Sequence, residues 1–314
     1  MIVMAPSVSK VISVLSGGVG AARLLRALRG VIAPEELTAI VNVADDLELH
    51  GLTICPDLDT ITYTLAGENN DVLGWGLKNE TWRVMDELQR LGGEAWFRLG
   101  DRDLATHLYR TQRLREGATK TQVTCELGEK LGVDVTLLPV SDDPLATVFE
   151  TERGTLSFQE YFVRHHHDVV VTAIHVQGAN EARLSAEARD ALSASARVVI
   201  APSNPLISIE PILQVGDVRA LLATRREDVV AVSPIIAGAA LKGPADRLLG
   251  EMGYDVSCVG VADYYGELVG TWIIDERDAD YADTLRARGH RVLVTTTVMA
   301  ETASAHRLAR AVLS

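Results

Sequence analysis

The sequence has little with which to cross-link itself, bind a soft metal or attack a substrate covalently. Its three cysteines, Cys55, Cys125 and Cys258, are far apart and odd in number, which argues against a disulfide framework or a Cys-x-x-Cys metal motif and fits a reducing compartment. No Gly-x-Ser-x-Gly elbow and no Cys/His nucleophile signature occurs, and the glycine-rich start lacks the Gly-Lys-Ser/Thr of a P-loop. No apolar run is long enough to span a membrane, and Met1 to Lys10 lacks the charged start and long apolar stretch of a secretion signal. Positive charge is scarce as well. Thirty basic against 43 acidic residues give a formal charge of -13, a balance that disfavours nonspecific binding to nucleic acid or anionic membranes. The expectation is a soluble cytoplasmic protein in which any anionic substrate is met by a local cation, a metal or helix ends.

What is present is apolar material in quantity. With 47% hydrophobic residues over 314 positions, the chain can bury a large core, as one α/β domain or as a domain carrying an insertion. Buried-strand candidates are Val11 to Ser16, Leu37 to Val43, Asp134 to Leu138, Val169 to Ile174, Val198 to Ala201, Val229 to Val232, Ser257 to Val261, Thr271 to Ile274 and Arg291 to Val294. Helical patterns at Ala186 to Ser195, Val218 to Arg225, Ala245 to Met252, Tyr281 to Arg288 and Ala303 to Leu313 separate most of the later ones. This alternation predicts a Rossmann-like α/β fold, with a mostly parallel sheet covered by helices on both faces. Between Thr60 and Leu131 helical candidates follow one another without a strand, so residues 66–131 are expected to form a helical insertion in a core built from residues 1–65 and 132–314. Ala146 to Val163, turning at Glu152-Arg153-Gly154, predicts a β-hairpin added to the sheet.

Ligands of open parallel sheets bind beyond the carboxyl ends of the strands. After the first strand come Gly17, Gly18, Val19 and Gly20, then a helix: glycines permit a tight turn and close approach to a phosphate, and the helix start supplies N–H groups. Arg23 stands where a dinucleotide fingerprint has its third small residue. After the second strand lie Asp45 and Asp46, followed by Cys55-Pro56-Asp57-Leu58-Asp59. Asp46, Asp57 and Asp59 gathered at one helix end would make a hard-oxygen cluster for Mg²⁺, whereas Asp57 alone would simply cap that helix. Trp96 to His107 brings aromatics, two arginines and a histidine into a helix start, which suits a phosphate or a planar ring but equally a cluster of salt bridges. After a later strand, Pro202-Ser203-Asn204-Pro205 offers a hydroxyl and an amide where a nucleoside would lie. Lys242 is a further candidate counter-charge, and His165-His166-His167 reads as a surface run.

Ser16-Gly17-Gly18-Val19-Gly20, Asn42 to Asp46, Cys55 to Thr60, Gly74-Trp75-Gly76, Leu99 to His107, Ser141 to Pro144, Pro202 to Pro205 and Ser233 to Ile236, in that order, resemble the 2-phospho-L-lactate transferase family of coenzyme F420 biosynthesis. The resemblance implies an enzyme in which the ribityl hydroxyl of the deazaflavin Fo attacks the phosphorus bearing a three-carbon acid in a guanosine diphospho-linked donor, and GMP leaves. It implies Fo binding by Asp59 and Arg98, where some relatives carry lysine at the second position. On the residue reading, Gly17, Gly18 and Gly20 would cradle the diphosphate, Ser203 and Asn204 the nucleoside, Asp46, Asp57 and Asp59 an Mg²⁺, and Asp59 would accept the hydroxyl proton. The insertion with Trp96 and Arg98 would close over the deazaflavin. Bacterial relatives point to phosphoenolpyruvate as the transferred group, and a homodimer is the expected assembly. Two other readings of the glycine turn are an NAD-dependent dehydrogenase and a nucleotide-sensing regulatory protein.

Overall fold

The computed structural model describes residues 11–314; Met1 to Lys10, read above for a secretion signal and as the start of the core, lie outside the described residues. Seven strands, here β1 (Ile12–Ser16), β2 (Leu37–Val41), β3 (Thr136–Pro139), β4 (Arg197–Ile200), β5 (Val229–Val232), β6 (Thr271–Ile274) and β7 (Arg291–Val294), form one sheet in the order β7-β6-β5-β4-β1-β2-β3. Every neighbouring pair is parallel. All residues of β1, β2, β5 and β6 are buried, as expected when helices cover both faces, while the edge strand β7 is partly open.

Strand order reverses direction at β1. To one side lie β2 and β3, to the other β4 onward, so a crevice opens between the carboxyl ends of β1 and β4, where the connections depart to opposite sides.

Four helices fill the chain between β2 and β3: α2 (Pro56–Leu65), α3 (Arg83–Arg90), α4 (Asp101–Arg115) and α5 (Lys120–Lys130), with α1 (Gly18–Arg29) preceding β2. A hairpin of Leu47–Leu49 and Leu52–Ile54 leads into α2. Its three-residue strands are too short to register as an alternating pattern. Ile54, Met85 and Leu99 form a second small core away from the main one, so the segment carrying Arg98 lies beside the strand that delivers α2.

Two expectations are corrected. Ser257 to Val261 is not a strand. Ser257 Oγ accepts from the Val259 and Gly260 amides (3.2 and 3.1 Å) and caps the buried helix Cys258–Tyr265, so an apolar run with β-branched residues was resolved by its cap. The hairpin of Ala146–Thr151 and Gly154–Ser157 exists, but it does not extend the main sheet; Val171–Gln177 joins it as the third strand of a separate antiparallel sheet. Only Val171 of Val171–Gln177 is buried, unlike the central strands of the doubly covered sheet.

Candidate active site

At the β1/β4 reversal the two turns pack directly on each other. Ser203 Oγ donates to the Gly17 carbonyl at 2.7 Å. A Cβ on Gly20 would come within 2.3 Å of the Pro202 carbonyl oxygen, and one on Gly17 within 2.7 Å of Ser208 Cβ and 2.8 Å of an Asp57 oxygen. Gly18, the first residue of α1, has φ +68°, a left-handed conformation that disfavours a side chain. Asn204 Oδ1 accepts from the Leu206 amide at 3.0 Å, which leaves its Nδ2 buried without a partner. Gly17, Gly18, Gly20, Ser203 and Asn204 therefore share one site.

Asp57 joins them. It does not cap its own helix, which starts one residue earlier at Pro56. Its Oδ1 instead accepts from the Gly18 amide at 2.6 Å, so an acid from α2 sits at the positive end of α1. Its Oδ2 accepts from Asn42 Nδ2 at 3.1 Å, and the same amide group donates to Asp45 Oδ1 at 2.8 Å. Burial, opposed in part by those hydrogen bonds, raises the Asp57 pKa to about 6. Burial and the Asp57 and Asp46 charges push Asp45 well above the usual carboxylate range.

Asp46 faces a cation. Lys120 Nζ, from the first turn of α5, donates to Asp46 Oδ2 at 2.7 Å, while Asp46 Oδ1 is buried without a partner. Burial raises the Asp46 carboxyl despite the lysine. Burial, the largest single effect, lowers the Lys120 ammonium, but the charge and hydrogen bond of Asp46 together with Cys55 bring the net shift upward.

Asp59 belongs to a different neighbourhood. Both of its oxygens accept from the Arg110 guanidinium, and the two side chains are 8% and 3% exposed. His107 lies between Asp59 (3.7 Å) and Asp103 (3.3 Å), and Tyr63 donates to Asp103 at 2.7 Å. Asp103, His107 and Arg110 fall at i, i+4 and i+7 on the buried face of α4. Among the described residues, Asp59, Asp103 and His107 are the one trio whose ligand atoms all lie within 4.8 Å of one another. Arg110 pairs with Asp59 and Tyr63 donates to Asp103, while His107 Nε2 is buried without a hydrogen-bond partner. The predicted metal set thus divides, with Asp46 and Asp57 near Asp45 at the crevice and Asp59 held by Arg110.

Arg98 is 40% exposed, bonded to Asp86 at 2.9 Å and stacked 5.4 Å over Trp82. Trp96 of the insertion carries Arg164, from beside the antiparallel sheet, over its ring at 5.5 Å. Sequence reasoning missed Lys120 and Arg110 and left Asp45 without a role. The i, i+4, i+7 spacing on α4 was the available signal for Arg110; nothing local marked Lys120.

Residues 12–309 match the family model described as 2-phospho-L-lactate transferase CofD. A protein named 2-phospho-L-lactate transferase from Methanosarcina acetivorans is 39% identical over 300 residues, covering 96% of this chain and 97% of its own. One named phosphoenolpyruvate transferase from Kitasatospora aureofaciens is 39% identical over 307 residues, with 96% of each chain covered. Among solved structures, a UPF0052 family member from Bacillus halodurans superposes with a TM-score of 0.63 at 17% identity, over 96% of this chain and 98% of that one. That likeness concerns the fold.

Proposed function

Since the chain belongs to the 2-phospho-L-lactate transferase CofD family, and is thus a transferase of the phospholactate/phosphoenolpyruvate kind, we propose that it joins a phosphorylated three-carbon acid from a guanosine diphospho-linked donor to the ribityl hydroxyl of Fo and releases GMP. The observation that carries the assignment of the site is the meeting of the glycine turn, the Pro202–Asn204 turn and the carboxyls of Asp45, Asp46 and Asp57 in one crevice. Phosphoryl transfer needs positioning and charge neutralisation more than a protein nucleophile. The dehydrogenase and nucleotide-sensor readings have no comparable support.

The first turn of α1 receives the diphosphate. Because Asp57 occupies the Gly18 amide, a phosphate arriving there needs Asp57 turned aside or its charge matched. Asn204 Nδ2, buried and unpartnered, is the donor for the nucleoside. The acids fit a divalent cation on their own chemistry: an orphaned Asp46 oxygen and two carboxyls sharing one amide are hard donors short of positive charge, and Mg²⁺ needs only one or two carboxylates besides phosphate and water. Held by Asp46 and Asp57 with Asp45 alongside, Mg²⁺ would supply the charge that offsets the diphosphate. Lys120 holds Asp46 in place. On the acceptor side, Asp59 and Arg98 bind Fo, and Arg110 fixes the Asp59 carboxylate, one oxygen of which would accept the hydroxyl proton. The Fo oxygen forms its bond to the phosphorus as the bond to the GMP oxygen breaks, and the hydroxyl proton leaves through Asp59. Among the described residues no helix is long and apolar enough to cross a membrane, and the working assembly is proposed to be a homodimer in the cytoplasm. Incubation with Fo, Mg²⁺ and each guanylylated donor, followed by mass analysis, tests the reading: the expected products are GMP and the Fo phosphodiester, and no Fo-dependent GMP from any donor overturns it.

A further inference from the structure

The groove between α1 and α2 holds a charge that the scheme above leaves unused. The two helices start at a shared contact, the Gly18 amide on Asp57. From there Val19, Arg23 and Arg26 follow one another along one face of α1, and Thr60 and Thr64 follow Asp57 at i+3 and i+7 along α2. These side chains line a narrow cleft whose far end is formed by the loop carrying Trp75. At its near end the cleft is lined by Val19, which lies between Gly18 and Gly20 of the turn.

Arg26 is exposed and lies 3.9 Å from Asp71. Arg23 is different. It is half-buried, and among the described residues its guanidinium makes no hydrogen bond or ion pair, whereas every other arginine side chain of which this is true is exposed. Standing on the cleft wall with no partner among the described residues, this guanidinium is free to take the acceptors of a ligand. Its planar fork matches a carboxylate through two parallel hydrogen bonds.

We propose that Arg23 binds the carboxylate of the group being transferred; this rests on the transferase reading of the crevice. Phospholactate and phosphoenolpyruvate, the groups in the relatives' names, both carry a carboxylate on the carbon that bears the phosphate ester. A residue that recognises it must stand close to the phosphate site, and Arg23 is one helical turn beyond Val19 on the same cleft wall. The shared carboxylate also means that Arg23 serves both donors and does not choose between them.

The test uses the full chain with Fo, Mg²⁺ and three guanosine diphospho esters, of lactate, enolpyruvate and isopropanol, the last lacking the carboxylate. Arg23→Gln is expected to lower kcat/KM for both acids by at least about tenfold, the scale of a lost charge-assisted pair, and to leave the isopropyl donor within about twofold. Arg23→Lys, which keeps the charge but not the fork, falls between. Equal loss on all three donors, or loss on none, overturns the proposal. If the parent releases no GMP from any donor, the transferase reading fails; calorimetric binding of the same esters then judges Arg23 alone, and equal parent affinity for the acid and isopropyl esters overturns it.

Discussion

Two glycines that both lie in helices should respond to alanine in opposite directions. Gly128, inside α5, has nothing nearer to a new Cβ than Val133 Cβ at 3.9 Å, so Gly128→Ala gains helix propensity and is expected to stabilise by about 0.5–1 kcal/mol. Gly20 is the third residue of α1, where propensity alone predicts the same gain. There the new Cβ would meet the Pro202 carbonyl oxygen at 2.3 Å, about 1 Å inside ordinary contact, and both partners are backbone or backbone-anchored. Overpacking of that kind costs roughly 1–3 kcal/mol, and the two variants should differ by about 1.5–4 kcal/mol. Urea denaturation followed by circular dichroism measures the difference, with equal m-values required for the comparison. Relief of the clash pushes the Pro202 turn away from α1, so Gly20→Ala should also weaken GMP binding, which Gly128→Ala leaves alone. If Gly20→Ala proves as stable as Gly128→Ala, the two turns are not packed as described, and the shared crevice loses its basis.

Two more outcomes follow from the buried charges. Asp57 has a folded pKa raised from 3.8 to about 6, so its contribution to stability is fully present below about pH 4 and is lost as pH rises through 6, on the order of 3 kcal/mol in total. In chelator the parent should lose melting temperature between pH 5 and 7 relative to Asp57→Asn, and Mg²⁺ should recover it at pH 7; parallel curves for the two proteins refute this. Arg110→Ala leaves Asp59 buried without its partner and should cost about 3–5 kcal/mol, part of which returns in the Arg110→Ala/Asp59→Asn double variant. A double-mutant cycle by chemical denaturation with no coupling would contradict the paired geometry.

The sheet was legible because its strands are short runs rich in apolar and β-branched residues. Thr271–Ile274, Arg291–Val294 and Val229–Val232 coincide with their predicted bounds. Where an apolar run admits either structure, as at Ser257 to Val261, only the serine cap decided, and its hydrogen bonds depend on a backbone geometry that periodicity does not encode. The same limit applies to the site. Gly17 to Gly20 and Pro202 to Asn204 were found because each follows a strand, and the parallel sheet brings strand ends together whatever the intervening length. Lys120 and Arg110 reach their acids from helix faces 74 and 51 residues away in sequence, and that approach is set by how the insertion packs. The grouping of Asp59 with Asp46 and Asp57 assumed that acids close in sequence share a neighbourhood; Arg110 shows that two residues of helix suffice to separate them.

The strand order also has a bearing on how the chain is made. β1, β2 and β3 can pair as soon as residue 139 is available, yet the other edge of β1 waits for β4, which is synthesised about 60 residues later. At roughly 5–20 residues per second this is about 3–12 s in which a strand that ends up fully buried presents an unpaired edge. The crevice between β1 and β4 does not exist during that interval, since one of its walls has not left the ribosome. A nascent chain stalled before residue 197 should therefore bind holdase chaperones and be indifferent to GMP, and release past β4 should reverse both together.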